Sequence, residues 1–575
     1  MPKEKLVVKR NINNYSSTEE VVNDILKERF SMDEYLANMS SLEDPFKFKD
    51  MQIAVEKITE YLKAGKSICV YGDYDVDGTT SVYLTYNLLN RLVKILGSTS
   101  KIGYYIPHRE KEGYGVNNSA LDKIRLENGF DLVISVDCGI SNYLQVEHAK
   151  EIGLDFIVTD HHEYPQNVPD CPIINPHDGH YPFSKLSGCG TVFKLMEALY
   201  IYNNQPRGLV FDYLDIAAIS TVADLMDLVG ENRIIVKYGL YLLQNYVDKG
   251  TRPWLNKLLE KAKFNSMIDS FTIGFVIGPR INSVGRLNHS MRSLEFMLSD
   301  DEAVLEKYGT IIEQMNDERK KLQDDIVKVG DNIIEESGVA NSINIVVDGR
   351  VGVVGLAASN LLEKHYRPTT VFSSSVNPDV YKASARSIDG FNYFEEVIEK
   401  NRDIIVGGGG HAAAAGLAVK KENIEEFNNR VNKAVEECLK KDPDLLTRKI
   451  YVDCELEPES IDVPLVKKVE QMAPFGMGNP TPTFFLRNMS IKELKGVPVK
   501  DPKHLQITLV RDETVFKGMI FKRYDLLEEL QTMGTIDVAF SLSLNTFLGK
   551  TEVNLLINYF RPSIESELDR NIDIE

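Results

Sequence analysis

Three acidic clusters, each following a short apolar run, carry the residue types that hold divalent cations. The first is Asp73, Asp75 and Asp77 in Val70-Tyr-Gly-Asp-Tyr-Asp-Val-Asp-Gly78. The second is Asp137 in Ile134-Ser-Val-Asp-Cys-Gly139, and the third is Asp160-His161-His162 after Phe156-Ile-Val-Thr159. A fourth, Asp224-Leu-Met-Asp227, closes an apolar segment. Carboxylates and imidazoles converging at strand ends point to hard cations and metal-assisted phosphoryl chemistry. Asp75 and Asp77, two apart on a loop, can reach one ion or two adjacent ones. Gly78 lets that loop turn, and Thr79 or Thr80 can cap the helix that follows. The loop overlaps the start of an EF-hand, but a strand precedes it, and the twelfth residue from Asp73 is Leu84, which cannot ligate. His161 and His162 project differently, so one can ligate while the other contacts substrate or water. Four acidic sites plus imidazole suit two ions about 3.5–4 Å apart sharing a bridging carboxylate. Oxygen-rich ligation with one or two histidines favours Mn2+ or Mg2+ over zinc.

The elements that must position these residues alternate between β and α from about Asp50 to Asn204. Residues 67–71, 131–136 and 155–158 read as strands, and Thr79 to about Leu96 as an amphipathic helix. Short, fully apolar strands between helices predict a parallel sheet covered on both faces, with ligands at the carboxyl ends of its strands. All three clusters fall there. Residues 214–223 read as a buried helix and 230–300 as mostly helical. Ile312, Met315, Leu322, Ile326, Val329 and Ile333 form a narrow apolar stripe on a long charged helix. A second α/β unit starts near Ser342 and ends with the glycine run at Gly407. There, strand 403–406, a glycine loop and an Ala-rich helix predict a backbone anion cradle, with a tight turn as the alternative. From about Lys449 five or so short strands predict a small barrel of the oligonucleotide-binding type.

The expected fold is therefore α/β. A parallel-sheet domain (46–300) follows an N-terminal lead-in (1–45). A connecting helix (301–337) leads to a smaller α/β domain (338–446) and an OB-like barrel (447–562), and a polar tail (563–575) ends the chain. The 575 residues allow three or four domains. With 43% hydrophobic and 26% charged residues, the composition is that of a globular chain. No apolar run approaches a membrane span and Met1–Tyr15 has no apolar core, so a cytoplasmic location is expected. Six cysteines without a C-x-x-C pair argue against a zinc ribbon or a disulfide scaffold, and read as buried free thiols. The net charge of −19, from 66 basic and 85 acidic residues, confines any nucleic-acid binding to a local groove.

The motifs D-Y-D-V-D-G, V-D-C-G-I-S, D-H-H and A-D-L-M-D come in the order of the DHH phosphoesterase superfamily. Gly409-Gly-His-Ala-Ala-Ala-Ala-Gly416 resembles the glycine-rich signature of its companion DHHA1 domain. Pro107-His-Arg109 with Glu112-Gly-Tyr-Gly115, Gly278-Pro-Arg-Ile-Asn-Ser-Val-Gly-Arg286 and Ala385-Arg-Ser387 narrow the match. From about residue 40 to 560 the chain resembles the RecJ family of single-strand-specific 5′→3′ DNA exonucleases. The segment Ala473-Pro-Phe-Gly-Met-Gly-Asn-Pro480 matches the approach to that family's oligonucleotide-binding domain, and no room is left after Ile564 for a further one.

The resemblance implies two divalent cations held by Asp75, Asp77, Asp137, His161 and Asp224, with Asp137 bridging. Asp73 matches as a further ligand position and His162 as a further catalytic one. It places His411 opposite the scissile phosphate, with Gly409 and Gly410 on the substrate. It places Arg109, Arg280, Ser384 and Arg386 around the 5′ end; Asn282 and Arg286 read as further strand contacts. Tyr114 can stack on a base or sit in the core. Many family members carry Trp-His where this chain has Gly349-Arg350. The implied activity is processive degradation of single-stranded DNA to 5′-mononucleotides in repair and recombination. The strand would thread between the two α/β units, in a cleft too narrow for a duplex. The implied partners of the monomer are single-strand-binding protein and a RecQ-type helicase. Two other readings compete. One is a phosphodiesterase for very short oligonucleotides, whose known members are shorter and lack a barrel. The other is a non-catalytic scaffold, whose known members have lost ligands that are all filled here.

Overall fold

The computed structural model describes residues 3–109, 111–374, 377–547 and 549–563; the expected tail falls, after Ser563, outside the described residues. The chain divides into two compact units, one of residues 33–322 and 474–479, the other of residues 1–32, 323–473 and 480–575. Strand β1 (Lys3–Val8) lies in the segment expected as a lead-in. It pairs in parallel with the strand Thr447–Val452, and Leu6, Val7 and Val8 are buried. Its Leu-Val-Val run suits a strand.

In the unit of residues 33–322, strands β2 (Ile68–Gly72), β3 (Ile102–Tyr105), β4 (Leu132–Val136), β5 (Asp155–Thr159) and β6 (Ile173–Ile174) form a wholly parallel sheet in the order β3-β2-β4-β5-β6. Alternate residues face opposite ways. Ile68, Val70, Leu132 and Ile134 join Leu84, Leu88 and Leu195 on one side. Cys69, Tyr71, Val133 and Phe156 join Leu121 and Val146 on the other. Apolar burial on both faces selects the parallel arrangement. Three helices deliver the rest of the site: Val76–Leu96, Gly188–Tyr202 and Leu214–Ala223.

The first of these helices starts earlier than expected. Its N-cap is Asp75, whose carboxylate accepts from the Gly78 N–H at 3.0 Å, so Asp77 lies in the first turn and not on a loop. Thr80 does not cap; its hydroxyl donates back to the Val76 and Asp77 carbonyls. Gly78 has a different role from the one expected. A Cβ there would lie 2.4–2.6 Å from the backbone of Asp73, so glycine is required by close approach.

In the other unit, β7 (Ile343–Val347), β8 (Thr369–Ser373), β9 (Val380–Arg386), β10 (Ile405–Gly410) and β11 (Ala414–Lys420) form a mixed sheet in the order β10-β11-β9-β8-β7. This corrects the glycine-loop reading. Gly407–Gly410 are themselves strand, and the Ala-rich run expected to be a helix is strand β11, paired antiparallel with both β10 and β9. The turn holding His411 is a hairpin, and no helix N-terminus follows it. Strands β12 (Thr447–Val452) and β13 (Cys454–Glu455) lead into β14 (Phe484–Val497), β15 (His504–Arg511), β16 (Thr514–Ile520), β17 (Thr535–Phe547) and β18 (Lys550–Pro562). Pairings β14–β15, β15–β16, β16–β18, β18–β17 and β17–β14 close a five-stranded barrel, as expected, though with strands as long as 14 residues. The long charged helix spans Glu302–Ser337. No helix among the described residues is long and apolar enough to cross a membrane. All six cysteines are free; Cys69, Cys138, Cys189 and Cys454 are buried and Cys171 and Cys438 half-buried.

Candidate metal centre

Asp73, Asp75 and Asp77 lie just past the carboxyl end of β2, Asp137 past β4 and His161 past β5, while Asp224 caps the C-terminus of the Leu214–Ala223 helix. Their ligand atoms fall into three groups, each within 4.8 Å of one another: Asp73, Asp75 and Asp137; Asp77, His161 and Asp224; and Asp137, His161 and His162. Asp137 thus belongs both with the first carboxylates and with the histidines. His161 Nε2 lies 3.2 Å from Asp137 Oδ1, 3.7 Å from Asp77 Oδ2 and 3.7 Å from Asp224 Oδ2.

Asp137 is held in the left-handed region, φ 59°, a conformation that Asp tolerates better than most residues. Room for its carboxylate comes from Gly188, where a Cβ would lie 2.6–2.8 Å from Asp137. Asp77 is fixed by the start of the same helix. It accepts from the Gly188 and Cys189 N–H groups at 2.7 Å each and from the Ser220 hydroxyl at 2.5 Å. A helix N-terminus favours such a negative charge. Asp160 organises the histidines: its carboxylate accepts from the Ile140, His161 and His162 N–H groups and from the His162 ring at 2.7 Å.

Burial raises the pKa values of Asp73, Asp75, Asp137 and Asp224 above the usual carboxylate range, and their mutual repulsion adds to it; Asp224 is pushed up to about 9. Burial alone would lower His162, but its bond to Asp160 and the facing carboxylates outweigh that and raise it to about 9. Burial lowers His161 against the same carboxylates, which favours the neutral imidazole that a cation can bind. Asp73 and Asp137 each keep one buried oxygen without a hydrogen-bond donor. Repelling carboxylates with unsatisfied oxygens beside a neutral imidazole suit a divalent cation, whose charge would reverse the repulsion.

The other expected residues divide. Tyr114 is 53% exposed, so it is not a core residue; its ring meets His162 edge-on at 5.9 Å and Tyr74 at 6.5 Å. The Arg109 guanidinium sits 4.9 Å over the Tyr74 ring. Asn282 accepts from the Val76 N–H, which ties it to the start of the aspartate-bearing helix. Arg286 acts electrostatically on Tyr74. Arg280 is buried, with its fork on Glu313 at 2.6 and 2.9 Å. Ser384 and Arg386 lie together on β9 in the other unit, both against Gly355, and Gly409, Gly410 and His411 are exposed on the β10–β11 hairpin. Sequence reasoning missed Asp160 as the organiser of the histidines, and also Gly188 and Ser220. The run Ser187-Gly-Cys-Gly190, a serine cap before small residues, was the available signal for Gly188.

Three family models match the chain: DHH family, N-terminal domain, over residues 67–221; DHHA1 domain over 342–437; and RecJ OB domain over 452–559. The single-stranded-DNA-specific exonuclease RecJ of Bacillus subtilis is 32% identical over 520 residues, 89% of this chain and 64% of that protein. This chain thus spans less than two thirds of that relative. The RecJ of Haemophilus influenzae is 27% identical, covering 91% of this chain and 92% of the relative. The crystal structure of RecJ in complex with Mn2+ from Thermus thermophilus aligns at a TM-score of 0.78 and 25% identity, over 97% of this chain and 80% of that one.

Proposed function

We propose that this chain, which belongs to the RecJ family of the DHH phosphoesterases, is a metal-dependent 5′→3′ exonuclease that degrades single-stranded DNA to 5′-mononucleotides in repair and recombination. The observation that carries this reading is that Asp137 is shared between two groups of candidate ligands. Asp73, Asp75 and Asp137 would hold one cation, and Asp77, His161 and Asp224 the other, with Asp137, 3.2 Å from His161 Nε2, beside both sets and Mn2+ or Mg2+ as the ions. Bound there, such a pair supplies Lewis acidity toward a phosphodiester and eases deprotonation of water.

The chain's own groups do the rest. Asp160 accepts from the His162 ring, which fixes it and favours its protonated form, so His162 would present an N–H donor beside the carboxylates. Arg109, held over Tyr74, and Arg286 offer donors suited to phosphate. Tyr114 offers an exposed ring to a base. Ser384, Arg386, Gly409, Gly410 and His411 would contact the strand, His411 from an exposed hairpin position and not from a helix terminus. Arg280 would contribute by orienting its helix through Glu313 unless the strand displaces that pair. The enzyme would act in the cytoplasm as a monomer, with single-strand-binding protein and a RecQ-type helicase as partners.

End-labelled single strands with Mn2+ test the reading. Expected is release of 5′-mononucleotides from the 5′ end, with little attack on blunt duplex. Degradation from the 3′ end, or no metal-dependent cleavage, would sink it.

A further inference from the structure

Beside the carboxylates lies an apolar surface that the metal centre does not use. Leu225 follows Asp224 directly. It is held in the left-handed region, φ 57°, a strained state for leucine, and is still 69% exposed. The Leu225–Leu228 loop is closed by segment 474–479. The Leu228 N–H donates to the Met477 carbonyl at 2.7 Å, and Gly476 and Gly478 sit against Leu228 and Asp227 so closely that a Cβ would meet them at 2.8 and 3.0 Å. The same segment accepts, at the Phe475 carbonyl, the hydroxyl of Ser270. Ser270 begins the turn that carries Phe271 and runs into the π-turn Ile273–Ile277, which carries Phe275. Gly278, at the end of that π-turn, lies against Ala223, the residue before Asp224.

Phe271 and Phe275 stack on each other with ring centroids 4.3 Å apart and planes 22° apart. They are nevertheless 62% and 67% exposed, and Met477 is 53% exposed. Two stacked phenylalanines, a strained leucine and a methionine thus face water on segments tied together by these hydrogen bonds, an exposure that folding alone does not favour. Such patches mark interaction sites, and π-turns recur at functional positions.

We propose that Leu225, Met477 and the Phe271–Phe275 pair form a shelf on which unpaired nucleobases of the single strand stack as its backbone passes the carboxylates. The proposal deepens the exonuclease reading and rests on it for the identity of the ligand. A nucleobase is the occupant because the shelf is continuous with Asp224 through Leu225 and through the 474–479 segment. A flat aromatic pair offers a face that any base can cover, without reading sequence. In a duplex those base faces are already stacked, so the shelf also favours unpaired substrate.

The test is the double variant Phe271→Ala/Phe275→Ala in the full chain. Both side chains are exposed, so the fold should survive. Circular dichroism and the Mn2+-induced rise in melting temperature check this and should match the parent's. Binding is measured by anisotropy for a labelled single strand and for the same strand with abasic sites. The parent should bind the base-bearing strand roughly 10- to 100-fold more tightly than the variant, with the difference vanishing on the abasic strand. A 2-aminopurine base in the strand should be quenched by the parent only. Equal binding of the base-bearing strand by parent and variant overturns the shelf, as does equal loss on both strands. It is also overturned if strand binding is unchanged while a parent dimer dissociates in the variant, since the surface would then join two copies. A parent that quenches 2-aminopurine but cleaves no strand leaves the shelf standing and refutes the exonuclease reading. Normal cleavage with equal quenching in parent and variant does the reverse.

Discussion

Asp137 is the residue on which the candidate centre turns. It is buried, left-handed, shared by two ligand groups, and keeps an oxygen without a donor. Asp137→Asn preserves shape and tolerates the same backbone while removing one charge. Without metal the variant should melt at a higher temperature than the parent, because a buried like charge is gone. With saturating Mn2+ the order should reverse, since ligand at 100 times its dissociation constant stabilises by about 2.7 kcal/mol and the variant binds less. Strand cleavage should fall by more than the roughly 10- to 100-fold typical of residues that only orient a metal ligand. Melting scans in EDTA and in Mn2+ check this, and an equal Mn2+ shift in both proteins would contradict it. At this scale the sequence was informative because the ligand residues sit within compact motifs. Asp160 was not legible as the organiser. Its role depends on accepting from the Ile140 N–H as well as from the nearby His162 ring, and the first of these bonds exists only once β4 and β5 are side by side.

At the scale of elements, the Gly188–Tyr202 helix does more than cover the sheet. Its first two N–H groups hold Asp77, and its first residue leaves space for Asp137. Gly188→Ala should therefore cost function more than stability. Alanine in place of glycine favours a helix interior by up to about 1 kcal/mol, but a Cβ 2.6 Å from that of Asp137 adds an overpacking cost of about 1–3 kcal/mol, so the melting temperature should fall by a few degrees. The new Cβ would displace the Asp137 carboxylate, and cleavage and Mn2+ affinity should drop together by at least about tenfold. Full activity would mean that this helix start does not fix Asp137. The parallel sheet was legible because its strands are apolar on both faces. The glycine hairpin was not. Ala412–Ala415 has high helix propensity, but Ala414–Lys420 gains backbone pairing on both edges, from β9 and β10, and that tertiary gain outweighs local preference. Helix boundaries moved for a similar reason. Asp75 caps in place of the threonines because its side chain reaches the Gly78 N–H, while Thr80 bonds back into its own turn.

At the scale of the whole molecule, what escaped the sequence is non-local. Strand β1 finds its partner in β12, hundreds of residues away, and nothing in a polar, charged N-terminus announces that register. What the sequence does state at this scale is charge. A chain of net charge −19 repels a polyanion everywhere except where cations gather. Arg280 is paired with Glu313, and Arg109, Arg286 and Arg386 are the arginines proposed to meet phosphates. Each phosphate neutralised on a single strand contributes about −0.7 to the slope of log K against log salt concentration, so three predict a slope near −2. Base stacking contributes affinity that salt does not screen, so binding should persist at concentrations that strip a basic nucleic-acid binder. Titrating a labelled single strand across a range of KCl concentrations measures the slope directly. A value steeper than about −5 would require many more phosphate contacts than the three arginines provide. The strand would then be gripped along an extended basic surface and not by a few arginines.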